Sequence, residues 1–283
     1  MAIARRHPEW IKVRAPGGDG FAATKRVVKS LALHTVCEEA HCPNLAECWD
    51  HRTATFMLLG DVCTRNCGYC AVAHGRPLAV DPHEPEKVAE GVERLGLRHV
   101  VVTSVDRDDL PDGGAGHFAA TAAAIKRRLP TCTVEVLTPD FKGDLAALAT
   151  VVDSPIDVFN HNTETVPRLY KIARPGGKYD RCLALLDAAK RRRPGLRTKT
   201  GLMLGLGEER EEVVAVLHDL VQVACDILTL GQYLQPSRQH LPIARYLPPE
   251  EFAELGAHAR SLGFRHVESG PLVRSSYHAW RHV

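Results

Sequence analysis

From residue 55 onward, short apolar runs alternate with amphipathic helical patterns, and this alternation restricts the fold more than any other feature of the sequence. Continuous apolar runs are typical of parallel strands that helices cover on both faces, because such strands bury both rows of side chains. The predicted strands are 56–60, 99–105, 133–139, 157–162, 198–207 and 227–234. The sequence therefore predicts an α/β protein with a parallel sheet.

Six strand–helix units are fewer than the eight that close a complete (β/α)8 barrel. We expect an open, partial (β/α)6 TIM-type barrel, and a doubly wound sheet is the alternative. The barrel is predicted over residues 55–265, between an N-terminal extension (residues 1–54) and a strand-like C-terminal tail (residues 266–283). In either fold the chemistry belongs at the carboxyl ends of the strands.

Six of the nine cysteines are grouped in two triplets. One triplet, spaced C-x4-C-x5-C, lies in the N-terminal extension, and the other, spaced C-x3-C-x2-C, directly follows the first predicted strand. The first triplet is Cys37, Cys42 and Cys48, and the second is Cys63, Cys67 and Cys70. The second triplet is therefore predicted at the functional rim of the barrel. The isolated Cys132, Cys182 and Cys225 are expected to be buried as small apolar side chains.

Three thiols so close together favour metal binding. Soft thiolates in threes indicate an iron–sulfur cluster with one iron left for another ligand. Structural zinc sites usually have four protein ligands, often in C-x2-C pairs. Zinc with His34, His41 or His51 as a fourth ligand is the alternative for the first triplet, and unligated core cysteines are an alternative for both.

Composition limits the partners and the compartment. A net charge of +2 and a pI near 8.1 do not indicate a strongly basic nucleic-acid-binding protein. We find neither an apolar run of the ~20 residues that a membrane span requires nor the apolar core of a secretory signal. An odd number of cysteines also argues against a complete disulfide framework. We therefore expect a cytoplasmic protein with reduced thiols and no nucleic-acid or membrane partner.

The second triplet resembles the signature of the radical S-adenosylmethionine (SAM) superfamily, in which three thiolates bind a [4Fe-4S] cluster and SAM chelates its fourth iron. Further motifs narrow the resemblance to the lipoyl synthase family. In order along the chain they are VCEEAHCPNLAECW, FMLLGDVCTRNCGYCAVAHG, TSVDRDDLPDGGAGHF, FNHNTETVPRLY, GLMLGLGE and GPLVRSSYHA. Together they extend over roughly residues 30–279.

The resemblance implies a radical SAM sulfurtransferase that inserts two sulfur atoms, at C6 and C8, into a protein-bound octanoyl-lysine. The second triplet would hold the SAM cluster, and the first would hold an auxiliary [4Fe-4S] cluster that donates the sulfur. In the family a serine of the RSSY motif is the fourth ligand of the auxiliary cluster. We expect Ser276 rather than Ser275, because adjacent residues on an extended segment point in opposite directions.

The resemblance also implies SAM contacts at the ends of the predicted strands. The candidates are Thr103, Ser104, Asp106, Asn160, Asn162, Lys199 and Gly205. Lys199 is expected to pair with the SAM carboxylate, and the backbone at Gly205 is expected to approach the adenine, since glycine permits close contact. A satisfied hydrogen bond at the rim, or a glycine that a turn requires, is the structural alternative.

Octanoylated lipoyl carrier domains are the implied partners, namely the E2 subunits of 2-oxoacid dehydrogenases and the H protein of glycine cleavage. A one-electron donor such as reduced ferredoxin or flavodoxin is also implied. The basic residues Lys171, Arg174, Lys178 and Arg181 could complement an acidic carrier, or they could form a solvated helix face.

Three rival functions fit the sequence less well. Biotin synthase-like and methylthiotransferase-like enzymes also insert sulfur, but the N-terminal triplet and the RSSY motif argue against both. A two-cluster electron carrier would require neither six βα units nor an open coordination position.

Overall fold

The computed structural model describes residues 7–282, so the outermost residues of the two predicted extensions lie outside it. The strands are β1 (His34–Thr35), β2 (Thr55–Leu58), β3 (Val62–Cys63), β4 (Ala73–His74), β5 (His99–Ser104), β6 (Thr133–Leu137), β7 (Val158–Asn160), β8 (Arg197–Leu204), β9 (Ile227–Gln232) and β10 (His266–Gly270). The helices are α1 (Asp19–Ser30), α2 (Val36–Glu39), α3 (Leu45–Asp50), α4 (Glu84–Leu95), α5 (Ala115–Arg128), α6 (Leu145–Val152), α7 (Tyr170–Ala173), α8 (Tyr179–Arg192), α9 (Arg210–Gln222) and α10 (Pro249–Ser261).

The main sheet has the strand order β1-β2-β5-β6-β7-β8-β9-β10. Every pairing from β2 to β10 is parallel, and β1 is antiparallel to β2. All six predicted strands form, and helices alternate with them, which confirms the α/β class and the partial-barrel architecture. The C-terminal tail adds a seventh parallel strand, β10, beside β9.

Local sequence signals account for the ends of several helices. The acidic start of α9 forms a capping box, in which Glu209 and Glu212 each accept a hydrogen bond from the other's backbone N–H. Helix α4 ends at Gly96 in the left-handed conformation, with φ of 67°. In the part of the chain that the structure describes, no helix is both long and apolar enough to cross a membrane.

A sharp turn leads from β2 into the second cysteine triplet. Leu59 and Gly60 are both left-handed there, with φ of 68° and 90°. The left-handed conformation is unfavourable for leucine, so the surrounding contacts must hold it. The Glu84 carboxylate accepts from the Leu59 N–H at 2.8 Å, and Arg107 donates to the Leu59 carbonyl at 3.2 Å. The direction in which the chain leaves β2 is therefore fixed by hydrogen bonds to the two successive peptide groups that flank Leu59.

A polar cluster lies on the inner face of the sheet. Lys199 of β8 donates to both carboxylate oxygens of Glu135 on β6, at 2.8 and 3.0 Å, and Asn160 of β7 donates to Glu135 at 2.8 Å. These three residues are fully buried. The sequence predicted Asn160 and Lys199 as SAM contacts, but the structure places both in this cluster. Strand residues alternate between the two faces of the sheet. The residues two positions after Asn160 and Lys199 therefore lie on the same face as these two, nearer the carboxyl ends of the strands.

We predict that Lys199→Met lowers the free energy of unfolding by about 3–5 kcal/mol, because it leaves the buried Glu135 carboxylate without its charge partner. Urea denaturation of the cluster-free protein, kept anaerobic, measures the effect. The double variant Lys199→Met/Glu135→Gln should recover part of the loss, and the exposed Lys171→Met is the matched control. A Lys199→Met protein as stable as the control would contradict the role of this pair.

Candidate active site

A cavity of about 540 Å³ lies at the carboxyl ends of the strands. Its volume is within the roughly 300–1,000 Å³ typical of small-molecule sites. Cysteines of both triplets line it, namely Cys37, Cys42, Cys63, Cys67 and Cys70. The remaining cysteine, Cys48, is partly buried on α3, and burial together with the nearby Cys37 and Cys42 thiols raises its pKa. The two triplets, separate in the sequence, therefore share one cavity.

Backbone donors point at the first thiol of the second triplet. The N–H groups of Arg65 and Asp106 donate to Cys63 Sγ at 3.4 and 3.3 Å. Hydrogen bonds to the charged form of a group favour that form, so these two donors would stabilise a thiolate at Cys63. Strand β3, which ends at Cys63, pairs in parallel with β4. The chain that follows the second triplet therefore lies beside the chain that precedes it.

The cysteine loop is also held from its outer side. The Gly68 N–H donates to the Ala173 carbonyl at 2.9 Å, and the Gly68 carbonyl accepts from Leu241 at 2.8 Å. His240 donates to the Cys70 carbonyl at 2.9 Å. A Cβ at position 68 would lie 2.9 Å from the Leu241 side chain, so a residue without a Cβ is needed there. The loop is thus packed between two later segments of the chain.

Arg65, between the first two cysteines of this loop, is buried among three carboxylates. It contacts Asp108 at 2.8 Å, Asp140 at 2.7 Å and Asp106 at 3.5 Å. Burial alone would raise the pKa of Asp140, but the hydrogen bonds and charges of Arg65 and Arg181 outweigh it and hold that pKa well below its usual range. Sequence reasoning missed this anchor. Two sequence features could have indicated these ion pairs, namely an arginine inside the cysteine loop and the acidic stretch DRDD after the second predicted strand.

The thiols are too weakly acidic to ionise without a cation. Burial raises the pKa of Cys37 and of Cys67 to about 12, and that of Cys70 to about 11. Neighbouring thiols of the same triplet raise them further, as Cys42 does for Cys37. A bound metal centre reverses this preference, because it provides the positive charge that a buried thiolate requires.

The donor set fits an iron–sulfur cluster at each triplet. Within residues 7–282, no three Cys, His, Asp or Glu side chains converge as the ligands of a single ion would. Five of the six triplet thiols instead border the open volume of the cavity. Soft sulfur donors spread around such a volume suit a multi-iron centre better than one zinc ion.

The RSSY motif reaches this cavity from the C-terminal tail. Arg274, Ser275 and Ser276 all line it. The motif is a turn rather than the extended segment that we expected, since β10 ends at Gly270 and the Tyr277 N–H donates to the Arg274 carbonyl at 2.9 Å. The geometric reason given for preferring Ser276 was therefore wrong. A different observation distinguishes the serines: Ser275 Oγ is hydrogen bonded, whereas the Ser276 hydroxyl has no hydrogen-bond partner among the described residues.

Some of the predicted SAM contacts line the cavity. Thr103, Ser104, Asp106 and Asn162 do so. Thr103 Oγ1 donates to the Leu137 carbonyl at 2.9 Å, whereas the buried Ser104 hydroxyl has no partner among the described residues and is available to a ligand.

Gly205, in contrast, is not part of the cavity wall and forms a turn. Its φ is 100°, and a Cβ there would lie 2.2 Å from Gln232 Nε2. The Gly205 N–H donates to the Glu208 carboxylate at 2.6 Å. Gly205 therefore matches the structural alternative, a glycine that a turn requires.

Sequence reasoning missed Glu164 and misplaced Arg174. Both line the cavity. Glu164 has a left-handed φ of 69°, and burial raises its pKa. Arg174 is 6% exposed, so it is not available to a carrier-binding surface, and the partly buried Arg181 pairs with Asp140 at 2.7 Å. The signal for Glu164 was its position just beyond the fourth predicted strand.

The isolated cysteines Cys132, Cys182 and Cys225 are buried, as predicted.

Two family models match the chain. The model of the radical SAM superfamily matches residues 57–220, and the model of the N-terminal domain of lipoyl synthase of the radical SAM family matches residues 2–42. The chain is 59% identical to the lipoyl synthase of Rubrobacter xylanophilus over 96% of this chain and 85% of that protein. It is 60% identical to the lipoyl synthase of Methylococcus capsulatus over 97% of this chain and 85% of that protein.

Solved structures share the fold at low identity. Methylornithine synthase matches with a TM-score of 0.54 at 15% identity, over 89% of this chain and 84% of that one. A maturase of the [FeFe]-hydrogenase matches with a TM-score of 0.58 at 16% identity, over 75% of this chain and 55% of that one. These likenesses concern the fold alone.

We predict that Asp140→Asn lowers the free energy of unfolding by about 3 kcal/mol near pH 7, because Arg65 and Arg181 lose their shared buried carboxylate. The pKa of Asp140 is lower in the folded state than its unfolded value of about 3.9, so its contribution is complete above that value. The contribution is lost as the pH falls below that value toward the folded pKa. The difference between parent and variant should therefore narrow below about pH 4.

Urea denaturation of the cluster-free protein between about pH 3 and 7 measures this effect. Asp187→Asn is the matched control, since the exposed pair of Asp187 with Arg191 is expected to contribute little. A stability difference between parent and Asp140→Asn that does not change with pH would count against the ion-pair explanation.

Proposed function

Because the chain belongs to the lipoyl synthase family of radical SAM enzymes, we propose that it inserts two sulfur atoms, at C6 and C8, into an octanoyl chain attached to a lysine of a lipoyl carrier domain. One observation carries the proposal: a single cavity is lined by cysteines of both triplets and by the serines of the RSSY motif. Radical generation and sulfur donation must act on the same carbon atom. A shared cavity is the arrangement that this requires.

Each triplet has a separate role in the proposal. Cys63, Cys67 and Cys70 would hold the [4Fe-4S] cluster that binds SAM. Cys37, Cys42 and Cys48, with Ser276, would hold an auxiliary [4Fe-4S] cluster. When bound, these groups supply a SAM-derived radical that abstracts hydrogen and the sulfur that replaces it. We assign residues 55–265 to radical generation, and the extensions 1–54 and 266–283 to sulfur donation.

The wall of the cavity suits an alkyl substrate. Val36, Met57, Val72, Leu137 and Met203 are among its lining residues. Burial of an octanoyl chain against them contributes about 0.8 kcal/mol per CH₂ and orders a substrate that has no polar group near the reacting carbons. The same side chains exclude water from the site.

The unactivated C–H bonds explain why the proposed chemistry is homolytic. The carboxylates of Asp106 and Glu164 line the cavity, and burial raises the pKa of each. A carboxylate is nevertheless far too weak a base to deprotonate an alkane carbon. We therefore give these two groups binding roles toward polar parts of the ligands, and no role as bases.

The partners follow from the substrate. We propose octanoylated E2 subunits of 2-oxoacid dehydrogenases and the H protein of glycine cleavage as carriers. Reduced ferredoxin or flavodoxin would be the one-electron donor. The reaction is placed in the cytoplasm, where thiols stay reduced. Lys171 and Lys178 are the two of the four proposed basic residues that are exposed and available to a carrier.

The test is anaerobic reconstitution with iron and sulfide, followed by mass spectrometry of an octanoyl-lysine peptide incubated with SAM and a reductant. Two four-iron clusters predict about eight irons per chain. A dithiolated peptide is the expected product. A protein that makes 5′-deoxyadenosine but never modifies the peptide would overturn the proposed substrate.

We predict that mutations in the two triplets have different effects. Replacing Cys63, Cys67 and Cys70 with alanine should abolish 5′-deoxyadenosine formation and leave about half the iron. Replacing Cys37, Cys42 and Cys48 with alanine should retain 5′-deoxyadenosine formation and stop sulfur insertion. Cys132→Ala/Cys225→Ala is the matched control and should keep the full iron content. A lipoyl product from the first-triplet variant, without an added sulfur donor, would show that the assignment is wrong.

We predict that Ser276→Ala retains 5′-deoxyadenosine formation and loses most of the lipoyl product. An alkoxide is a harder ligand than a thiolate and is less suited to cluster iron, so it would release that iron more readily. Ser276→Cys should therefore keep the cluster and still transfer sulfur poorly. The exposed Ser261→Ala is the control for both. Full lipoyl yield from Ser276→Ala would remove Ser276 from the ligand set.

A further inference from the structure

A hydrogen bond joins the C-terminal tail to the barrel wall beside the cavity. Ser275 Oγ donates to Asn162 Oδ1 at 2.7 Å, between residues 113 positions apart. Both side chains line the cavity, and Asn162 lies just after β7. The side chain of Asn162, a predicted SAM contact, is thus hydrogen bonded to the residue next to Ser276.

The neighbouring strand leaves room for this contact. A Cβ at Gly201 of β8 would lie 2.8 Å from Ser275 Oγ and 3.0 Å from Asn162 Oδ1. It would also lie 2.6 Å from Thr229 Oγ1. Because such separations are shorter than real Cβ contacts allow, any other residue at position 201 would displace the pair. Gly201 therefore accommodates the tail.

Asn162 is itself held by the barrel. Arg174 Nη1 donates to the Asn162 carbonyl at 2.9 Å, and the same guanidinium lies 3.5 Å from the buried Cys182 Sγ. A buried arginine with fixed partners keeps its neighbour in one position. Asn162 is therefore a fixed point on the wall of the cavity.

The rest of the tail is held by other elements. Asn44 of the N-terminal extension donates to the Leu272 carbonyl at 2.7 Å, and Tyr277 donates to Glu47 at 3.1 Å. Ser276 lies between Tyr277, anchored to the extension, and Ser275, anchored to the barrel. Its own hydroxyl has no hydrogen-bond partner in the described part of the chain, so its direction depends on these two neighbours.

We infer that Asn162 is a positioning residue that holds the RSSY turn through Ser275 and thereby directs the Ser276 hydroxyl into the cavity. The inference rests on the proposed function in one respect, the role of Ser276 as a cluster ligand. A metal–oxygen bond of roughly 2 Å tolerates little displacement of the ligand. A fixed neighbour on each side of Ser276 restricts the directions that its hydroxyl can take.

The first test uses the cluster-free protein and does not depend on activity. Hydrogen–deuterium exchange is followed at the amide of Tyr277, which is bonded to the Arg274 carbonyl within the turn. Asn162→Ala and Ser275→Ala should each speed this exchange by roughly five-fold, the equivalent of one hydrogen bond. The double variant should exchange no faster than either single variant. Ser275→Thr, which retains the hydroxyl donor, should keep most of the protection, and Ser261→Ala is the control.

The second test uses the reconstituted enzyme. Asn162→Ala and Ser275→Ala should lower lipoyl yield per 5′-deoxyadenosine by the same factor, and both should give the same KM for SAM. A higher KM for SAM in Asn162→Ala alone would instead make Asn162 a SAM contact and overturn the inference. Unchanged Tyr277 exchange in both variants would also overturn it.

The two tests separate this inference from the proposed function. If Ser276→Ala keeps full activity while the exchange results are as expected, the cluster-ligand assignment fails and the anchoring of the tail by Asn162 is supported. If Ser276→Ala loses activity and the exchange at Tyr277 is unchanged in the Asn162 and Ser275 variants, the cluster-ligand assignment is supported and the anchoring of the tail by Asn162 fails.

Discussion

The ion pairs of the buried Arg65 guanidinium are the interactions on which the rest of the site depends. Its carboxylate partners follow two different strands, Asp106 and Asp108 after β5 and Asp140 after β6, while Arg65 itself belongs to the cysteine loop after β3. A buried charge without partners would cost several kcal/mol, so these loops must pack in one arrangement. The cysteine loop is therefore positioned by ion pairs between protein side chains, in addition to any ligand that its thiols hold.

The strands could be predicted from the sequence, but the level of each side chain along its strand relative to the cavity could not. Continuous apolar runs identified all six barrel strands, because burial on both faces leaves a clear composition signal. Alternation along a strand assigns a face, whereas the level at which a residue sits depends on the register between strands. Asn160 pairs with Leu137 and with Lys199, and this register places both polar residues beside Glu135 instead of in the cavity. The burial of Arg174 and the ion pair of Arg181 were missed for a related reason, since no local pattern indicates partners contributed by distant loops.

The two triplets differ in what their assembly requires. The second triplet lies in one short loop, and its anchors come from other segments within residues 55–265. The first triplet meets the RSSY turn only after the whole barrel has placed the tail, as the contact of Asn44 with the Leu272 carbonyl illustrates. Contacts between residues so distant in sequence carry a larger loop-closure cost than local contacts do. The proposed sulfur-donating half of the site is therefore complete only in a fully folded chain, whereas the radical-generating half needs the barrel alone.

Strand β1, only two residues long, has a consequence beyond the site. His34 and Thr35 pair antiparallel with the outer edge of β2, immediately before Cys37. An uncovered edge of a parallel sheet offers unpaired backbone donors and acceptors to any other strand, including one from a second molecule. The segment that carries the first triplet thus also shields the sheet from edge-to-edge association. Detachment of the extension would remove Cys37 and Cys42 from the cavity wall and expose the edge of β2 in the same event. The same segment would thus influence both the proposed cluster site and the tendency of the protein to aggregate.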